Sequence, residues 1–302
     1  MIKTINRIVN FFCEHIPQKH QLWIIKLLQK KGHLDFSYKF AKRCNLDLFT
    51  LGLRHFTTRK LPPPPSTIPP ELLNEYTMNG LIPVLYCYLV EDMAEKKFHN
   101  SAQDYQKAFK SLQNRTFKYY GKDMNSFYAA FEKYSLKGKT VIIWGLAGLN
   151  CEAMAIWQGA EHVYVVDYNK PVCEHDKITV MNNEELAKSE IKVDVAISFS
   201  SFEHDGLGRY GDPLNPNGDL EAMQTVRNFL KDDGYFWFGV PQGDDCLVWN
   251  IHRIYGEKRL ALLLDGWDTE AVFEQESPIG KPLGTWYVQP LMILKKSFCP
   301  KE

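Results

Sequence analysis

From residue 139 onward, short apolar runs alternate with amphipathic stretches, and this alternation restricts the possible folds more than any other feature. "KTVIIWG" is a continuous apolar strand and "CEAMAIWQGA" is the helix after it. "HVYVVDYN" and "KITVM" read as a second and a short third strand, "VDVAISFSS" as a fourth, "LEAMQTVRNFL" as a helix and "GYFWFGVP" as a fifth strand. "VWNIHRIYGEKRLALLL" reads as one further helix. Strands that alternate with helices specify an α/β fold with a parallel sheet. The chain closes with "TEAVFEQES" and "WYVQPLMILKK", joined by the turn-rich "PIGKPLG", a connection short enough for an antiparallel pair.

Residues 1 to about 135 have a different texture. Ile2, Ile5, Val9 and Phe12 recur at helical spacing, as do Leu22, Ile25 and Leu28. This predicts a helical N-terminal region (1–135) ahead of a Rossmann-like domain (136–302). "KLPPPPSTIPPE" (60–71) interrupts the region, and a proline run favours an extended, stiff connector. "NSFYAAFEKYS" (125–135) reads as one more helix. Residues 1–33 hold six Lys or Arg against one Glu, so a peripheral contact with an anionic membrane is conceivable. A helical face packed on its own domain accounts for them better.

Composition excludes several function classes. Lysines plus arginines equal the acids at 36 each, so nothing favours a nucleic-acid binder. The seven cysteines are scattered, with no CxxC pair, which points away from a disulfide framework or zinc site and toward reduced thiols in a cytoplasmic protein. The start has no secretory signal pattern. "LIPVLYCYLV" (81–90), the most apolar window elsewhere, is far below the roughly 20 residues of a bilayer span. A soluble protein without metal is expected.

In an open α/β sheet, ligands bind beyond the carboxyl ends of the strands. Gly145 and Gly148 follow the first strand in a Gly-x-x-Gly turn, where small residues let a ligand approach the backbone. Asp167 ends the second strand, 22 residues past Gly145, close to where a carboxylate grips a ribose diol. After the fourth strand comes "SFSSFEHDGLGRYGDPLNPNGD" (198–219). Its end is no calcium loop, because Pro213 and Gln224 fall where the first and twelfth ligands must be. Gly218, Asp219 and Glu221 suit a helix start instead. His252, Arg253 and Tyr255 form a second polar group, with His252 and Tyr255 spaced to share a helix face, and Gln242, Asp244 and Asp245 are minor loop candidates.

"VIIWGLAGLNCEA…VVDYN…VDVAISFSSFEH…VRNFLKDDGYFWFGVP" resembles the class I S-adenosylmethionine-dependent methyltransferases in the order of its motifs. More narrowly, "SFSSFEHDGLGRYGDPLNPNGDLEAM" with "VVDYNKP" is similar to a methyltransferase-like family of unknown function first catalogued in nematodes. The resemblance spans residues 120 to 298, and its loop motif is long. It implies a seven-stranded methyltransferase sheet with the last strand antiparallel. It also implies S-adenosyl-L-methionine over the Gly145–Leu146–Gly148 turn, its ribose near Asp167 and Tyr168, with Ser200 and Ser201 on the donor side.

The acceptor side is then expected to be "EHDGLGRYGD", with His204 as general base, Asp205 or Glu203 orienting it, and Arg209 holding an anionic or hydroxyl-rich acceptor. The implied activity is methyl transfer to an oxygen or nitrogen of a small-molecule or glycan-type acceptor. Ile143 stands where the family has an acid before the glycine turn, and Ala147 replaces its middle glycine. A non-catalytic ligand-binding protein on the same fold is therefore the alternative. A nicotinamide oxidoreductase fits less well, because Gly-x-Gly-x-x-Gly is missing.

Overall fold

A computed structural model of the chain describes residues 64–88, 98–119, 122–145, 148–274 and 287–298. The amphipathic start (1–33), the first prolines of the run, Leu146, Ala147 and the "PIGKPLG" connection lie outside the described residues. The N-terminal part carries helix α1 (Pro70–Tyr76), strand β1 (Val84–Tyr86), and helices α2 (Ala102–Gln113) and α3 (Asn125–Lys133).

The alternating part follows as β2 (Thr140–Trp144), α4 (Cys151–Trp157), β3 (His162–Val166), β4 (Ile178–Met181), α5 (Asn183–Ala187), β5 (Val193–Phe199), α6 (Gly218–Phe229) and β6 (Leu230–Gly239). It ends with β7 (Cys246–Trp249), β8 (His252–Ile254), α7 (Glu257–Leu263), β9 (Trp267–Phe273) and β10 (Leu291–Lys296). Seven of these strands form one sheet in the order β9-β10-β6-β5-β2-β3-β4. The pairs from β4 across to β6 are parallel, while β10 runs antiparallel to both β6 and β9. This is the Rossmann-like methyltransferase sheet, with its last strand antiparallel, that the sequence led one to expect.

The apolar runs lack polar relief because both sheet faces are covered. Val141 and Ile143 face a cluster with Phe127 and Phe131 of α3 and Met154 of α4. Ile142 and Trp144 face the other way, onto Met223 and Val226 of α6 and Leu263 of α7. β6 repeats the pattern, sending Trp237 to the first cluster and Phe236 and Phe238 to the second. Each such side chain contributes about 1.5–3 kcal/mol by leaving water. Helix α3, read as the end of the N-terminal region, is thus part of the main core.

Two expectations need correction. "VWNIHRIYGEKRLALLL" is not one helix: its first part supplies β7 and β8, and only Glu257–Leu263 is helical. β1 pairs parallel with β7, and β7 pairs antiparallel with β8, in a small separate sheet. Val248, Trp249, Ile251 and Ile254 are all buried, so no period distinguishes strand from helix. His252 and Tyr255 accordingly share no helix face. The second correction concerns the proline run, whose described part is docked rather than a free spacer. Trp249 Nε1 donates to the Pro65 carbonyl at 3.1 Å, and Ile68, Tyr76 and Ile82 pack with Leu207, Leu247 and Trp249. Among the described residues, no helix is long and apolar enough to cross a membrane.

Candidate functional site

The strand order reverses between β2 and β5, where neighbouring strands send their connections to opposite sides and leave a crevice. A cavity of about 360 Å³ opens there. Gly145, Asp167, Tyr168, Ser200, Ser201, His204 and Asp205, singled out from three separate stretches of sequence, all line it. Glu203 and Arg209 are buried behind the wall, and Gly148 is not among the lining residues. Leu146 lies outside the described residues.

Strand-end geometry explains the residue types on the donor side. Gly145 has φ +76, and a Cβ there would lie 2.3 Å from Ser201 Oγ. Only glycine lets the β2 and β5 ends approach so closely. Asp167 closes β3 and turns the chain, its Oδ1 accepting from Asn169 N at 2.7 Å. Ser200 leaves β5 with φ +59, rare for a residue with a side chain. This turn aims its hydroxyl at Glu203, and Ser200 Oγ donates to Glu203 Oε1 at 2.9 Å.

Glu203 is 1% exposed and its Oε2 has no hydrogen-bond partner. Burial pushes its carboxyl up to about 7, outweighing the opposing pull of Ser200 and the Arg209 guanidinium. His204 Nδ1 is 2.6 Å from the Ile251 carbonyl oxygen, which can only accept, so the proton sits on Nδ1 and the Nε2 lone pair is left. Nε2 is 3.7 Å from Glu203 Oε1. Burial, then Arg209 and His252, hold the imidazole well below its usual range. It is neutral at pH 7.

The rest of the loop is braced by its own turn and by groups packed behind it. Arg209 Nη1 donates to the same Ile251 carbonyl at 3.3 Å, and its guanidinium lies 5.2 Å from the Tyr210 ring centre. Asp212, which sequence reasoning passed over, accepts from the backbone N–H of Gly208 at 2.9 Å and of Tyr210 at 3.1 Å, fixing the turn. A Cβ on Gly206 would fall 1.9 Å from the Asn215 carbonyl oxygen. The Tyr76 hydroxyl of α1 donates to the Gly206 carbonyl, and Arg253 Nη1 donates to that of Asp205 at 2.6 Å.

Asp219 lies in the first turn of α6, as expected, and it also accepts from Arg259 Nε at 3.1 Å and from the Tyr255 hydroxyl at 3.0 Å. Arg253 stands 3.6 Å away. Burial raises the Asp219 carboxyl, but the two guanidinium groups outweigh it and bring the net shift below the usual range. Arg253 and Tyr255 are therefore bracing groups under the loop. Asp245 accepts from the N–H groups of Gly256, Lys258 and Arg259, capping α7 rather than facing the cavity.

The cavity wall carries the carboxyl groups of Asp167, Asp205, Asp212 and Glu221, and among the described residues its lining includes no lysine or arginine. Asp205 is half-buried, and burial with the nearby Asp212 pushes its carboxyl well above the ordinary range. Aromatic rings, among them Phe98, Trp144, Tyr168 and Tyr210, complete the lining. Such a wall suits a flat, apolar and positively charged ligand.

No curated protein matches the chain. Among solved structures, the N-methyltransferase NodS from Bradyrhizobium japonicum is similar at 10% identity and TM-score 0.43, over 63% of this chain and 97% of that one. TehB from Haemophilus influenzae is similar at 11% identity and TM-score 0.40, over 63% and 67%. The ribosomal protein L11 methylase from Lactobacillus delbrueckii subsp. bulgaricus is similar at 15% identity and TM-score 0.35, over 60% and 81%. Residues 138–289, half of the chain, match the family described as "Caenorhabditis protein of unknown function, DUF268", and the chain belongs to that family.

Proposed function

We propose that the chain is an S-adenosyl-L-methionine-dependent methyltransferase acting on a hydroxyl or amine of a small-molecule or glycan-type acceptor. The observation that carries this reading is the cavity at the switch point of a methyltransferase sheet, lined among the described residues by four carboxyl groups and by no lysine or arginine. The residues fit the donor. Gly145 keeps side-chain bulk off the β2 end, Asp167 and Tyr168 offer a carboxyl group and a ring to a nucleoside, and a wall with no lysine or arginine among the described residues does not repel a sulfonium cation. When bound, the donor supplies an electrophilic methyl group. The protein then has to align the acceptor and dispose of its proton. His204 offers a neutral Nε2 as hydrogen-bond acceptor, with Asp205 beside it on the cavity wall.

Arg209 is proposed to act through the loop, by holding Tyr210 and sharing the Ile251 carbonyl with His204, rather than through the acceptor. A cytoplasmic location is proposed on the scattered cysteines. A second reading, a ligand-binding protein without turnover, is favoured by Ile143, which is 1% exposed in the core where the family has an acid. Incubation with methyl-labelled donor and a panel of hydroxyl and amine acceptors separates the two. Labelled product supports transfer, while donor binding without any product supports the second reading.

A further inference from the structure

The cavity wall sets a serine hydroxyl in front of a buried carboxyl group. Ser200 lines the cavity, and its hydroxyl already points its hydrogen at Glu203 Oε1, 2.9 Å away. The lone pairs of Ser200 Oγ are therefore the part of this hydroxyl able to accept. Behind it, Glu203 is 1% exposed, and its second oxygen has no hydrogen-bond partner. A buried carboxyl oxygen without a donor is costly in the charged state and comfortable once protonated. Ser200 is held in this position at φ +59, a conformation rare for a residue with a side chain.

We propose that Glu203 is the terminal proton acceptor of the cavity, reached through the hydroxyl of Ser200. The proposal rests on the methyl-transfer reading above. As the acceptor's hydroxyl or amine gains a methyl group, its proton passes to Ser200 Oγ while the Ser200 proton passes to Glu203 Oε1. Serine ends unchanged, the carboxylate becomes a carboxylic acid, and the charge lost by the donor's sulfonium balances the charge lost by Glu203.

His204 is the weaker candidate for keeping the proton. It is packed by Arg209 and 6.3 Å from the His252 ring, and a cationic imidazole would be repelled by the guanidinium groups of Arg209 and Arg253. Arg209, together with Asp205 and the Tyr255 phenol, also acts on Glu203 through space. Burial dominates them all and brings the Glu203 carboxyl up to about 7, where a proton can be taken up and released again near neutral pH.

Infrared difference spectroscopy of the donor-free protein across a pH series tests this without turnover. The expected result is a carboxyl titration near pH 7 that Glu203 and Glu152 share in wild type, that loses one group in Glu203→Gln, and that disappears only in Glu203→Gln combined with Glu152→Gln. Ser200→Ala, or Ser200→Gly where alanine does not fold, should move the Glu203 midpoint upward because a donor to the carboxylate is lost. A Glu203 band in the ordinary carboxylate range, or a midpoint indifferent to Ser200, overturns the proposal. Where labelled methyl transfer is found, the limb of kcat near pH 7 should vanish in Glu203→Gln with donor affinity unchanged, and a persisting limb overturns it too. An expected titration together with no transfer to any acceptor would sink the methyl-transfer reading, not the Ser200–Glu203 coupling.

Discussion

His204 Nδ1 and the carbonyl oxygen of Ile251 are 2.6 Å apart, so a backbone group 47 positions away in sequence sets the tautomer of a histidine that lines the cavity. This leaves Nε2 as the acceptor. His204→Ala should lower turnover roughly tenfold, the loss of about one hydrogen bond to the acceptor, because the proton itself goes to Glu203. Donor affinity by calorimetry should stay near that of wild type. Lowered stability with intact turnover per folded molecule would make His204 a structural peg.

Asp167 should grip the donor's ribose. Asp167→Ala is expected to weaken donor binding by roughly 1.5–3 kcal/mol, the value of a hydrogen bond to a charged group. Calorimetric titration reads this directly. Unchanged affinity in a folded variant would place the nucleoside elsewhere in the cavity.

Stability should depend on pH through Glu203. Its carboxyl keeps a proton up to about pH 7, against 4.5 as the ordinary value. Between those limits the native state binds more protons than the unfolded chain, so the contribution falls as pH rises and levels off above about pH 7. Glu203→Gln removes this slope, so the variant should gain on wild type by roughly 3 kcal/mol across the window. Glu152, also raised by burial to about 7, contributes in the same sense and persists in both proteins. Urea melts of the two proteins at stepped pH values check this, and parallel curves would contradict it.

The bracing cluster beneath the loop should matter to folding. Asp219 is fully buried between Arg253 and Arg259, both also buried. Asp219→Asn would leave two guanidinium groups without their counter-charge, at a cost of roughly 3–5 kcal/mol. Chemical denaturation at pH 7 measures it. A loss below about 1 kcal/mol would mean that neighbouring carbonyls alone satisfy both arginines.

The sheet was legible because its strands are continuous apolar runs between turn residues, and "PIGKPLG" announced the final antiparallel pair. Gly145, Asp167 and Ser200 through Asp205 were legible for a related reason: polar or small residues at strand ends stand out against the runs before them. β7 and β8 were not legible. Trp249, Ile251, His252 and Ile254 are buried on every side, and periodicity needs an exposed face to register. The Ile251 carbonyl carries no side-chain signature at all. Arg209 and Asp245 illustrate a third limit: residue type gives the charge, but only packing decides whether it faces a cavity, a carbonyl or a helix end.

The central claim is that the crevice beside Gly145, Asp167 and His204 holds S-adenosyl-L-methionine. Isothermal calorimetry of the full chain with S-adenosyl-L-methionine, S-adenosyl-L-homocysteine and NAD tests it most directly. The expected result is saturable binding of the first two, lost or weakened in Asp167→Ala, with no binding of NAD. Binding of NAD alone, or of none of the three by a folded protein, would contradict it.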